Sequence, residues 1–226
     1  MSGTEKFLEM RIGEVPFVAF DTETSLFSRP GESAFYDIVE IGCIAFRLSG
    51  QIDSFHSLVK PHYPFNRVSC RAMHITEARL ESAPNFTEIA NSIENILSGK
   101  VIVGQNTQFD IRAVRQATDL YGNKGKIGSD IQASLISKLN SMALDTKDIF
   151  SGLFPKEKQK SLDVIAQKIG VNSQRTKHSA LEDAVLTLNI FKKLVEMAQE
   201  KNVSTLANLF ELQGGNWGKA KQVSFF

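Results

Sequence analysis

The sequence predicts a mixed α/β domain, on three observations. Strand-like apolar runs dominate the first half, helical periodicity dominates the second, and the first three strands follow one another closely enough for an antiparallel meander. The chain has 226 residues, 42% of them hydrophobic, which suits one domain with a substantial core and some tail. This composition excludes a disordered chain, a collagen-like repeat and a disulfide scaffold.

The first strand is VPFVAFDTET (15–24), an apolar run that ends in polar residues. SRPGES (28–33) reads as a turn-rich break before DIVEIGCIAFRL (37–48), rich in Ile, Val and Phe. Gly50 then leads into QIDSFHSLVKP (51–61), whose alternation gives one wetter face, and KVIVGQ (100–105) is a further short strand. Among the helices, 86–97 carries Phe86, Ile89, Ile93 and Ile96 on one stripe, with Asn85 as N-cap. Residues 107–121 repeat the pattern with Ala113, Val114, Ala117 and Tyr121. SLDVIAQKIG (161–170) ends at a C-capping Gly170, and a long helix over about 179–200 presents Ala184, Leu188, Phe191, Val195 and Ala198. After Leu212 the pattern stops, so the domain is set at 1–212 and 213–226 reads as a flexible tail.

Charge and targeting narrow the setting. Lys+Arg number 26 against 25 Asp+Glu, a formal net charge of +1, which argues against a protein that coats nucleic acid by bulk electrostatics. No segment approaches the ~18 apolar residues of a membrane helix, and the N-terminus lacks the apolar core of a secretory signal. A cytoplasmic protein with no membrane partner is expected. Two cysteines, Cys43 and Cys70, fit reduced thiols there, with a Cys43–Cys70 pair as the alternative.

The acids carry the chemistry. Asp21 and Glu23 end an apolar strand two residues apart, so both carboxylates point to one face, where two like charges are costly without a cation between them. Asp110 lies three, four and seven residues before Ala113, Val114 and Ala117, along the apolar stripe of its helix. A carboxylate buried there needs a partner or a metal. Arg112 and Arg115 are the alternative partners, but neither faces its way. In KHSALEDAV, Asp183 sits at the edge of the last helix's apolar face and His178 precedes the helix. Four carboxylates without a Cys/His cluster select a hard divalent cation, Mg²⁺ or Mn²⁺, over zinc. Such sites commonly hold two ions ~3.5–4 Å apart and act on phosphodiesters. His178 would serve as general base.

These residues resemble the DEDDh 3′–5′ exonucleases, a family that includes the proofreading epsilon subunit of bacterial replicative DNA polymerase. The three motifs are FDTET (20–24), GQNTQFD (104–110) and HSALEDA (178–184), with further similarity in IVEIG (38–42), MHIT (73–76), ALDT (143–146) and SLDVIA (161–166). The resemblance implies a ribonuclease H-like fold, a mixed five-stranded sheet flanked by helices with its first three strands antiparallel. It implies that Asp21, Glu23, Asp110 and Asp183 hold two metal ions, that His178 deprotonates the attacking water, and that Thr22 and Thr24 border the substrate. Nucleoside 5′-monophosphates would leave from DNA 3′ ends, single-stranded or mismatched, in proofreading or repair. An RNA-trimming relative is the alternative, and a catalytically silent clamp or nucleic-acid adaptor a third reading. Where many relatives have Thr-Gly after the first motif, this chain has Ser25-Leu26-Phe27, beside the 3′ nucleotide in the family.

The last five residues, QVSFF, resemble the bacterial sliding-clamp-binding pentapeptide. Gln222 would reach polar backbone, Val223 and Ser224 match its aliphatic and Ser-or-Asp positions, and Phe225 and Phe226 would fill an apolar pocket. The alternative is that both phenylalanines fold back onto the domain. His56, His62 and His74 read as structural, although His74, within MHIT, could line the site. Setting four acids aside for one cleft leaves 26 cations against 21 anions, a formal +5. The metal-free cleft would therefore repel phosphate and the loaded one accept it.

Overall fold

The computed structural model describes residues 3–27, 34–64, 75–173 and 179–214. After a short helix α1 (Gly3–Leu8) come β1 (Phe17–Phe27), β2 (Phe35–Arg47) and β3 (Gly50–Leu58). Helices α2 (Glu77–Glu81) and α3 (Phe86–Leu97) lead to β4 (Val101–Gly104), α4 (Gln108–Gly122) and α5 (Ser129–Leu139). The chain continues through β5 (Ala143–Asp145), α6 (Thr146–Leu153), α7 (Leu162–Ile169), α8 (Ala180–Gln199) and α9 (Leu206–Leu212).

The strands form one five-stranded sheet in the order β3-β2-β1-β4-β5. β1–β2 and β2–β3 pair antiparallel, as expected, and β1–β4 and β4–β5 pair parallel. Strand alternation divides the core into two layers. Phe17 and Ala19 of β1 pack with Leu144 and with α6, α7, α8 and α9 on one face. Val18 and Phe20 pack with α3, α4 and α5 on the other.

Local signals set most helix ends where the sequence places them. Asn85 caps α3, accepting from Thr87 N–H at 3.0 Å while its own N–H donates to Glu88 at 2.8 Å. Gly170 ends α7 at φ +74, the left-handed conformation that favours glycine. Cys43 is a free, buried thiol, and Cys70 lies outside the described residues.

Gln213, expected to open the tail, docks on the edge of β5: its side chain accepts from Asp145 N–H at 2.7 Å and donates to Ala143 O at 3.3 Å. Gly214 N–H donates to Glu211 O at 3.0 Å. No helix among the described residues is long and apolar enough to cross a membrane.

Candidate active site

The site opens where β4 stops. β4 pairs with β1 only from Phe17 to Ala19, while β2 accompanies β1 to its end at Phe27. Beyond Ala19 no strand among the described residues pairs with β1 on the β4 side, at the carboxyl ends of two parallel strands. Residues 20–24 lie along this gap.

Alternation then sorts the first motif. Asp21 and Glu23 continue the parity of Phe17 and Ala19, toward the face covered by α8. Thr22 continues that of Val18 and Phe20, toward α4. On the α8 side, carboxylate oxygens of Asp21, Glu23 and Asp183 lie within 4.8 Å of one another. On the α4 side, Asp110 accepts from Thr22 N–H at 2.9 Å and from Thr22 Oγ1 at 2.7 Å.

Asp110 is only 3% exposed, as its place on the apolar stripe requires. Burial pushes its carboxyl up to about 7, the two Thr22 hydrogen bonds oppose this, and the nearby Glu23 charge adds to it. Arg115 is not its partner: that guanidinium is engaged by Asn140 Oδ1 and Leu139 O. The thiol of Cys43, raised mainly by burial, also feels both Asp21 and Asp110, so the two acids share one neighbourhood.

Asp183 reaches the cluster because α8 starts directly on the sheet. Gly42 pairs with Asp21 across β1–β2, and a Cβ on Gly42 would lie 2.5 Å from the Ala180 carbonyl carbon. Only a glycine admits this approach. Asp183 then falls in the first helical turn, where the positive end of the helix dipole favours a carboxylate.

Two acids that the motif pattern does not single out hold this frame. Glu40, 4% exposed in β2, accepts from Ser179 Oγ at 2.9 Å and from the Ala180 N–H, and pairs with His56 Nε2 at 2.7 Å. Burial alone would raise its pKa, but the bonds from His56, Ser179 and Ala180 hold it below the usual carboxylate value. Glu40 thereby ties the start of α8 to the sheet. Asp145, at the end of β5, accepts from Asn106 N–H at 3.1 Å and Thr107 N–H at 3.0 Å. It holds the left-handed Asn106 (φ 60) and the loop that launches α4 with Asp110. Burial raises its pKa against these hydrogen bonds. Asp145 lies in ALDT and Glu40 in IVEIG, so family likeness marks both segments without showing what either acid does.

Thr22 is buried and spent on Asp110, while Thr24 is partly buried at the mouth of the gap, past a register shift between Glu23 and Thr24. His178, His74 and the segment Gln222 to Phe226 lie outside the described residues. His56 and His62 both sit in structural contacts, His56 on Glu40 and His62 edge-on to Tyr121. Phe109 packs edge-on against Tyr36.

A carboxylate trio beside a fourth, pinned acid is an all-oxygen donor set, which fits hard divalent cations. Comparison with known proteins agrees. The sequence profile of the exonuclease family RNase_T matches residues 18–191. A "DNA polymerase III subunit epsilon-like protein" of Rhodobacter capsulatus is 27% identical over 209 residues, 90% of this chain but 27% of that protein's length. Among solved structures, Exonuclease X in complex with 5′ overhanging duplex DNA superposes with a TM-score of 0.59 at 19% identity, covering 88% of this chain and 99% of that one. The nuclease domain of 3′hExo, a DEDDh family member bound to rAMP, gives 0.62 at 15% identity, covering 82% and 92%.

Proposed function

From the premise that the chain belongs to the RNase_T exonuclease family, we propose that it hydrolyses terminal phosphodiesters of DNA from the 3′ end, in proofreading or repair. The observation that carries this reading is the convergence of Asp21, Glu23 and Asp183 within 4.8 Å, with Asp110 pinned alongside by Thr22.

Asp21, Glu23, Asp110 and Asp183 would hold two Mg²⁺ or Mn²⁺ ions. Bound there, the ions would supply Lewis-acid polarisation of the phosphodiester and charge for the departing oxygen. The chain's own residues do the rest. Thr22 fixes the carboxylate of Asp110, Glu40 fixes the helix start before Asp183, and Asp145 fixes the loop before Asp110. His178, one residue before the anchored Ser179, would accept the proton of the attacking water and be restored by solvent.

DNA is favoured over RNA by the epsilon-like relative, although the rAMP-bound neighbour shows that the fold also accommodates a ribonucleotide. Sequence alone supports a sliding-clamp tether at Gln222–Phe226 and a cytoplasmic setting. The deciding assay offers 5′-labelled single-stranded DNA, a mismatched primer and RNA, each with Mg²⁺ and with chelator. Metal-dependent shortening of DNA from its 3′ end supports the proposal. Preferential shortening of RNA replaces the substrate class, and no shortening of either overturns the reading. Deleting residues 222–226 should abolish capture on a bacterial clamp while sparing hydrolysis of free oligonucleotides.

A further inference from the structure

A pocket of about 560 Å³ opens at the far end of α4 from the carboxylates. Its lining includes Lys60, His62, Asn85, Thr87, Tyr121 and Lys126. Lys124 stands beside it, with Nζ 3.2 Å from His62 Nε2. Among the described residues no carboxylate lines it, and Lys60, Lys124 and Lys126 enter none of the ion pairs seen there. Ordinarily, exposed lysines disperse or pair with acids. Here two lysines and a histidine line one concavity, with a third lysine at its edge, in a chain whose net charge is only +1.

The backbone that carries Lys60 and Lys126 is held by hydrogen bonds. Lys60 N–H donates to Pro84 O at 2.8 Å, and Lys60 bridges in parallel to Asn85, the cap of α3. Lys126 N–H donates to Tyr121 O at 2.9 Å, closing the turn around the left-handed Gly125. His62 leans edge-on against Tyr121, which floors the pocket. Burial first, and then the neighbouring charges of Lys124 and Lys126, keep the imidazole below its usual pKa, while the buried Asp37 carboxylate lies behind it and, second to burial, raises the pKa of Tyr121.

Tyr121 and Asp110 belong to the same stripe of α4, eleven residues apart, or about 16 Å at ~1.5 Å per residue. At ~3.4 Å per nucleotide step this spans roughly five nucleotides of a stacked strand. A rigid helix therefore separates a phosphodiester-cleaving site at one end from an anion-attracting pocket at the other.

We propose that the Lys60–Lys124–Lys126 pocket anchors the phosphate backbone of the same DNA strand whose 3′ end lies at the carboxylates, several nucleotides upstream. This rests on the exonuclease reading above. The ligand is the phosphodiester anion of a polynucleotide, engaged without base readout by flexible ammonium groups. The pocket supplies the local positive site that a near-neutral chain needs in order to hold a polyanion.

The test compares two triple variants of equal charge change. One is Lys60→Ala/Lys124→Ala/Lys126→Ala. The control is Lys6→Ala/Lys193→Ala/Lys201→Ala, on α1 and around the end of α8. Binding of fluorescent 20-nucleotide single-stranded DNA is read by anisotropy in an Asp183→Asn background, across a salt series. The pocket variant should bind at least tenfold more weakly than the control, with a salt slope shallower by about 0.7 for each phosphate no longer neutralised. In the active protein, its KM for the 20-mer should rise while kcat holds, and hydrolysis of thymidine 5′-monophosphate p-nitrophenyl ester should stay unchanged. Equal DNA affinity of the two variants overturns the anchor. Failure of the wild type to cleave both the ester and the 20-mer overturns the exonuclease reading instead, and the binding comparison still decides the pocket.

Discussion

A Cβ on Gly42 would lie 2.5 Å from both the carbonyl carbon and the carbonyl oxygen of Ala180, so the first residue of α8 rests directly on the strand beside Asp21. Backbone meets backbone there, and no side chain can swing aside to make room. Gly42→Ala should push the start of α8 outward, at a cost of about 1–3 kcal/mol of stability. Asp183 would move with it. The expected result is a lower melting temperature together with at least a tenfold loss in kcat in a variant that keeps its far-UV spectrum. Unchanged kcat would show that this contact does not position Asp183.

Asp183→Asn tests the metal site without relying on turnover. Wild type should gain thermal stability on adding Mn²⁺, because an ion that binds only the folded state stabilises it by mass action. The variant should lose most of that gain and at least a thousandfold in activity, while remaining folded without metal. Equal Mn²⁺ stabilisation of both proteins would remove Asp183 from the ion-holding set.

Glu40 makes stability acid-sensitive in a defined direction. Its folded-state pKa lies below the ordinary 4.5, so its contribution is present above that value and lost as pH falls through the folded pKa. Melting temperatures between pH 6 and pH 3 should therefore fall further for wild type than for Glu40→Gln. At pH 7 that variant should be less stable by about 1–3 kcal/mol, because Ser179, His56 and the Ala180 N–H lose their ionised acceptor. Parallel curves for the two proteins would contradict this assignment.

Asp37 should act in the opposite direction. Burial pushes its pKa up to about 6, against hydrogen bonds from the Tyr63 and His62 backbone. A raised acid pKa means that the folded state holds the proton more tightly, so stability from this group declines as pH rises from about 4 to about 6. Asp37→Asn should lose that decline, so its melting temperature relative to wild type should rise between pH 4 and pH 7. The difference between the two melting curves against pH isolates the group. No change in their separation would refute the shift.

The readability of the chain follows the range of the forces involved. Helix Phe86–Leu97 is legible to the residue because its apolar period and the Asn85 cap act within a few positions. The buried Asp110 is legible from the same periodicity, and the close pair Asp21–Glu23 from strand alternation. β5, by contrast, is three residues long and exists through pairing with β4, so no local pattern announces it. α5 is equally quiet: of its eleven residues only Leu135 and Leu139 are buried, too few to write a stripe. Glu40 looks like a polar interruption in an apolar run, because its partner Ser179 lies 139 residues away. Gln213 reads as tail because an amide that completes a sheet edge leaves no hydrophobic trace.

That amide bears on how the protein behaves in company. An open sheet offers two rows of unpaired backbone groups to any passing extended chain. At one margin, the side chain of Gln213 occupies both the N–H of Asp145 and the carbonyl of Ala143, imitating an added strand with a single residue. At the other, β3 presents Gln51, Ile52, Asp53, Ser54 and His56 as exposed residues, a mostly polar border with one exposed aliphatic side chain. The two margins therefore differ in chemistry, one occupied by a side-chain amide and the other bordered by mostly polar residues. A further strand could pair with the β5 margin only by displacing the Gln213 amide.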